Sequence, residues 1–172
     1  MSDLGKTPLV SEPAYPLLMI DNAQMAFAPR GVLAPIVREQ TGLTMPEVGG
    51  TASNRTHSII WTGRDQWLIL GRFDPPDHTP VSNQSHARAV FLLPIKHARE
   101  ILAAGTAVDL REEAFPVGTA AATVIDHIPV LLWRNAPERL AAGVPASYGM
   151  SFNGWLEHHK TLQERHFPHE HT

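Results

Sequence analysis

The pattern that most constrains this chain is a pair of apolar runs around a short polar break. Ser58-Ile59-Ile60-Trp61 leads into Thr62-Gly63-Arg64-Asp65-Gln66, and Trp67-Leu68-Ile69-Leu70-Gly71 follows. Aromatic and β-branched runs flanking a short glycine-containing turn predict a β-hairpin over residues 58–70. The stripe of Trp61, Trp67 and Phe73 could serve as a platform for a flavin or nucleobase. Aromatics at strand spacing are more often core, and that is the reading preferred here.

The chain around this hairpin divides into parts. Residues 1–14 are polar and proline-containing and read as a loose arm. Residues 17–28 (LLMIDNAQMAFA) read as one extended strand. Pro29-Arg30-Gly31 turns the chain, and residues 32–41 place Leu33, Ile36 and Val37 on one helical face with Gly42 as the stop. Residues 45–54 (MPEVGGTASN) read as a loop. Residues 73–80 hold three prolines in eight positions, which predicts a boundary between two halves, 15–76 and 77–160.

The second half repeats the order of the first. Residues 84–93 (QSHARAVFLL) read as a strand. Residues 96–104 read as a helix, with Ile101 and Leu102 inward and Gly105 as its stop. Pro116-Val117-Gly118 is a turn, and residues 119–126 and 128–133 suggest another strand pair. A short segment at 140–144 precedes a last helix over 148–159, where Phe152, Trp155 and Leu156 can share a face. Residues 161–172 form a histidine-rich tail, expected to be frayed. The repeated strand–helix–strand–strand order predicts an α+β fold built of ferredoxin-like units, with helices on one side of antiparallel sheets.

Composition narrows the function. The chain has 172 residues, 43 % of them hydrophobic, and a net charge of −3. The weak negative charge argues against a nucleic-acid partner. With no cysteine, disulfides, thiolate metal sites and cysteine nucleophiles are excluded. No run of about 18 apolar residues suggests a membrane span, and residues 1–11 lack a signal-peptide pattern. The expectation is a soluble, cytoplasmic protein.

Candidate chemistry is sparse. The ten histidines are His57, His78, His86, His97, His127, His158, His159, His166, His169 and His171, and five lie in the last fifteen residues. The tail has metal ligands without an evident scaffold, so a solvated tail is preferred to a metal site. Ser85, His86 and Arg88 could be nucleophile, base and anion clamp. On a strand Ser85 and His86 would point to opposite faces, while His86 and Arg88 would share one and could grip an anionic ligand or a partner's carboxylate. The competing reading is a polar strand face. Asp109 could be an acid–base residue, but bracing the turn at 111–116 fits it better. No GxGxxG, GxxxxGK[ST], GxSxG or HExxH pattern occurs. The residues alone therefore predict no catalytic, cofactor-binding or metal site, and lean toward binding or assembly.

Several stretches, in order, resemble the gamma subunit of heterotetrameric sarcosine oxidase. They are SIIWTGRDQWLIL at 58–70, NQSHARAVFLL at 83–93, AREILAAGTAVDL at 98–110 with REEAFPVGTAAATVIDHIPVLLWR at 111–134, and VPASYGMSFNGWL at 144–156. They look like that family's apolar hairpin, its Gln-Ser-His-Gly-Arg strand, its Ala-Phe-Pro-x-Gly turn with a strand pair, and its Val-Pro-Arg-Ser-Phe approach to a terminal helix. Ala87 stands where the family has Gly, and Ala146 where it has Arg.

The resemblance implies a fold like the folate-binding domain of the glycine-cleavage aminomethyltransferase. It implies a bacterial complex with alpha, beta and delta partner subunits that demethylates sarcosine to glycine and hydrogen peroxide. The methyl carbon would leave as formaldehyde or as methylene-tetrahydrofolate. FAD, FMN, NAD, zinc and tetrahydrofolate would all sit on the partners, leaving this chain without a cofactor. Three alternatives stay open. One is a free-standing folate-binding or methyl-transfer protein, with Asp109 and Asp126 as its acidic candidates. Another is a metal-handling protein using the tail. The third is the same subunit in an N-methylglutamate-type dehydrogenase.

Overall fold

The computed structural model describes residues 13–166. Two five-stranded antiparallel sheets lie face to face, with helices on their outer sides. This is an α+β fold. The first sheet has the order β3-β4-β5-β2-β6, built from β2 (Ala23–Phe27), β3 (Thr51–Ser53), β4 (Ser58–Gly63), β5 (Gln66–Leu70) and β6 (Val81–Asn83). The second has the order β1-β7-β10-β9-β8, from β1 (Leu17–Met19), β7 (Arg88–Pro94), β8 (Thr119–Ile125), β9 (Ile128–Ala136) and β10 (Arg139–Pro145). Helix α1 (Arg30–Thr41) covers the first sheet, and α2 (Ile95–Leu102) and α3 (Gly149–His166) cover the second. No helix among the described residues is long and apolar enough to cross a membrane.

Sheet order and register show an internal duplication. Each half runs strand, strand, helix and three further strands, and in each the leading strand pairs with the other half's sheet. β1 adds to β7 through Leu17↔Phe91 and Met19↔Ala89; β6 adds to β2 through Val81↔Ala26 and Asn83↔Gln24. Ala26 and Phe91 each lie three residues before the proline that opens the following helix. Those prolines, Pro29 and Pro94, share an extended conformation, with φ/ψ of −58/149° and −53/137°. Strands from 15–76 and 77–160 are thus exchanged across the 73–80 segment. The unit departs from the expected ferredoxin-like pattern: its last three strands run as a meander, with no helix between the third and fourth.

Strand alternation creates three apolar layers. Ile59, Trp67 and Ile69 pack with Phe73 under Leu33 and Val37 of α1. Met25, Ile60, Leu68, Val90, Leu131 and Trp133 meet between the sheets. Phe91, Leu132, Leu140 and Val144 pack against α2 and against Phe152 and Leu156 of α3. At one side the sheets are stitched by a Gly50↔Thr119 bridge, with Thr51 N donating to Gly118 O at 2.9 Å and Ala120 N to Gly49 O at 2.8 Å.

Local expectations met several different outcomes. The 58–70 hairpin is present with Trp61 opposite Trp67. Helix α1 ends where Gly42 adopts φ 76° and donates to Arg38 O at 3.0 Å. The strand pair after residue 118 turns on Asp126 and His127, both at positive φ (50° and 64°). Residues 17–28 are two strands rather than one, because β1 and β2 serve different sheets. The loop at 45–54 contains β3, and the segment at 140–144 is β10, which lies between β7 and β9. Gly105 is not a left-handed stop; a Cβ there would lie 2.6 Å from the Trp155 ring and 2.7 Å from Ile125. Pro13 and Ala14 end the expected loose arm, yet Ala14 is held: its N donates to Asn153 Oδ1 and its O accepts from Lys160 Nζ. The tail up to His166 is helical rather than frayed, because α3 continues through it. Residues 1–12 and 167–172, including His169 and His171, lie outside the described residues.

Candidate functional site

Residues 84–87 form a turn instead of the start of a strand. Asn83 Oδ1 accepts from Ser85 N at 2.9 Å and Gln84 O accepts from Ala87 N at 3.0 Å, while Gln84 N and His86 N donate to Ala23 O and Ile20 O. His86 sits at φ 60° within this turn. The expected sharing of a strand face by His86 and Arg88 is therefore lost. His86 Nε2 faces Asp21 Oδ1 at 3.5 Å on the surface. Ser85 Oγ accepts from Ala23 N at 3.4 Å. Ser85 and His86 do not act as a pair, though the reason is the turn rather than strand alternation.

Arg88 opens β7 with its side chain between the two sheets. It is half-buried beside a cleft of about 190 Å³. Met25, Thr62 and Gln66 line the cleft from one sheet, and Val130, Leu131 and Gly143 from the other. Arg88 Nη1 donates to Gln84 Oε1 at 3.0 Å. No carboxylate among the described residues pairs with it. Burial pulls the guanidinium below its ordinary value, because a desolvated cation loses hydration. Gly143 keeps the floor open: a Cβ would come 3.0 Å from the Trp133 ring and 3.8 Å from Arg88 Cδ. Sequence reasoning singled out Arg88 but not Gln84, Gln66 or Gly143. The small-residue run Ala141-Ala142-Gly143 was the available signal, and it reads equally as core.

The other candidates are structural. Asp109 braces its turn, accepting from Arg111 N at 3.1 Å and from Arg111 Nη2 at 2.6 Å. Those hydrogen bonds hold its carboxyl down at about 2. Asp126 occupies the β8–β9 turn. Trp67 and Phe73 are core residues at 1 % and 2 % exposure, and Trp61 packs against them. Two histidines pair with aromatic rings: His97 Nδ1 lies 3.1 Å from Tyr15 Oη, and the His159 ring stacks on Trp155 with centroids 4.0 Å apart. Among the described residues no group of three or more His, Asp or Glu side chains could hold a metal ion.

Fold and cleft together define a duplicated, strand-exchanged α+β protein with an arginine-bearing cleft between its sheets. A solved chain shares this fold. It belongs to the heterotetrameric sarcosine oxidase from Corynebacterium sp. U-96 in complex with pyrrole 2-carboxylate. The TM-score is 0.71 at 24 % sequence identity, covering 89 % of this chain and 87 % of that one. At that identity the likeness shows the fold. No family model and no curated protein matches.

Proposed function

We propose that this chain is a non-catalytic small subunit of a sarcosine oxidase-type oxidoreductase complex, of the gamma kind, acting by assembly. One observation carries the reading. The likeness covers nearly all of both chains, so the matched chain has about the same length, as a small subunit would. Oxidation of an amine needs an electron acceptor, which side chains without cysteine do not provide. Dinucleotide sites generally use glycine-rich turns at helix N-termini; here Pro29 and Pro94 occupy the strand-to-helix junctions of α1 and α2. FAD, FMN, NAD, zinc and tetrahydrofolate are accordingly assigned to alpha, beta and delta partners. Affinity purification of the tagged chain from its native cells tests this. The expected result is co-purification of larger flavin-bearing subunits, peroxide formation by the pool with sarcosine and oxygen, and none by the isolated chain. Recovery of the chain alone from those cells, or with stoichiometric flavin of its own, would refute the reading.

A further inference from the structure

The duplicated scaffold isolates one residue that the fold does not require. Measured from Pro29 and Pro94, Arg88 occupies the position that Ala23 occupies in the first half. Each opens the strand that precedes its helix. Ala23 is buried at 4 % exposure between the sheets and serves packing alone. Its counterpart is a guanidinium that is half-buried, accepted by one neutral amide oxygen, and without a carboxylate among the described residues. A cation taken out of water without a counter-charge is unfavourable, and natural structures normally pair it.

We propose that the inter-sheet cleft at Arg88 binds a small organic carboxylate. Arginine presents a planar fork of five donors that matches a carboxylate two bonds at a time. Gln84 takes one donor and orients the fork. Beyond it Met25, Val130 and Leu131 offer apolar wall for a short hydrocarbon body, with Gln66 at the opening. The cleft, of about 190 Å³, has room for several waters and so for a small acid. Ligand sites favour boundaries between structural units, and both halves contribute lining here. The site is independent of the assembly role: it is a property of this chain's own interior.

The test is titration of the isolated full chain with acetate, propionate and benzoate, with chloride and sulfate as non-carboxylate anions. It is followed by calorimetry and by NMR of the arginine side-chain N–H groups. The expected result is saturable carboxylate binding with a shift of the Arg88 Nε–H signal. Arg88→Gln should abolish binding. Arg88→Lys, which keeps the charge but loses the fork, should weaken it at least about tenfold. Gly143→Ala should weaken benzoate more than acetate by narrowing the floor. Circular dichroism confirms that each variant folds. Absence of saturable binding overturns the proposal, as does equal binding by Arg88→Gln. Chloride or sulfate binding as tightly as the carboxylates overturns it too. If Arg88→Gln and Gly143→Ala both fail to fold, the Arg88 Nε–H response of the parent chain decides the matter alone.

Discussion

Arg134, only 3 % exposed, donates from Nη1 to the exposed carboxylate of Glu112 at 2.5 Å. The same carboxylate accepts from Arg99 Nη2 at 2.7 Å. Arg134 also reaches Phe115 O at 3.1 Å and Pro137 O at 2.7 Å. Strand β9 and helix α2 are thereby clipped to the 105–118 loop. Hydrogen bonds from Arg134 and then Arg99 hold the Glu112 carboxyl below its ordinary range. A depressed folded pKa stabilises the fold above the unfolded carboxylate pKa, and that stabilisation is lost as pH falls through the folded value. Glu112→Gln should therefore melt at a lower temperature than the parent at pH 7. The gap should close as the pH is taken down into the acid range. Thermal scans of both proteins from neutral to acid pH check this; a gap independent of pH would mean that the charge is not what holds the clip.

Trp67 is sealed among Ala26, Leu33, Val37 and Ile59, with Nε1 donating to Ala28 O at 3.3 Å. Truncation leaves a large cavity and strands that acceptor. Trp67→Ala should cost roughly 3–5 kcal/mol in urea unfolding. A loss under about 1 kcal/mol would show that the site collapses freely, contrary to a close-packed layer.

Gly105 is a packing requirement. Its missing Cβ leaves room for the Trp155 ring, which is held in turn by Phe152 and His159. Gly105→Ala should destabilise by about 1–3 kcal/mol through overpacking. Trp155→Phe removes the ring atoms that the methyl group meets. The double variant should therefore lose less than the two single losses combined, a non-additivity that denaturant curves measure.

The β8–β9 turn runs on two non-glycine residues at positive φ, Asp126 and His127. Both left-handed positions favour Asn and Gly. Replacing Asp126→Asn together with His127→Gly should stabilise the chain by about 0.5–1 kcal/mol, net of the extra freedom glycine has when unfolded. Equal or lower stability in chemical denaturation would contradict the strain assigned to this turn.

What local sequence determined is where the chain turns and which side chains seek shelter. The Trp61–Trp67 hairpin, the Gly42 stop, the Asp109 brace and the inward Ile101 and Leu102 follow from periodicity and turn chemistry acting over a few residues. The repeated order of elements was legible for the same reason. Tertiary structure alone decided which strands meet. Alternation says that Leu17 and Met19 share a face, but the same pattern fits either sheet. Only distant pairing with Phe91 and Ala89 places them across the duplication. The site followed the same division. Arg88 stood out as a cation in the sequence, yet its expected companion His86 was turned away by an Asx-type turn at 83–85. Its actual surroundings come from six other strands, from both sheets. Three-dimensional packing, and the desolvation it imposes, converts a polar strand residue into a half-buried guanidinium with a cleft beside it.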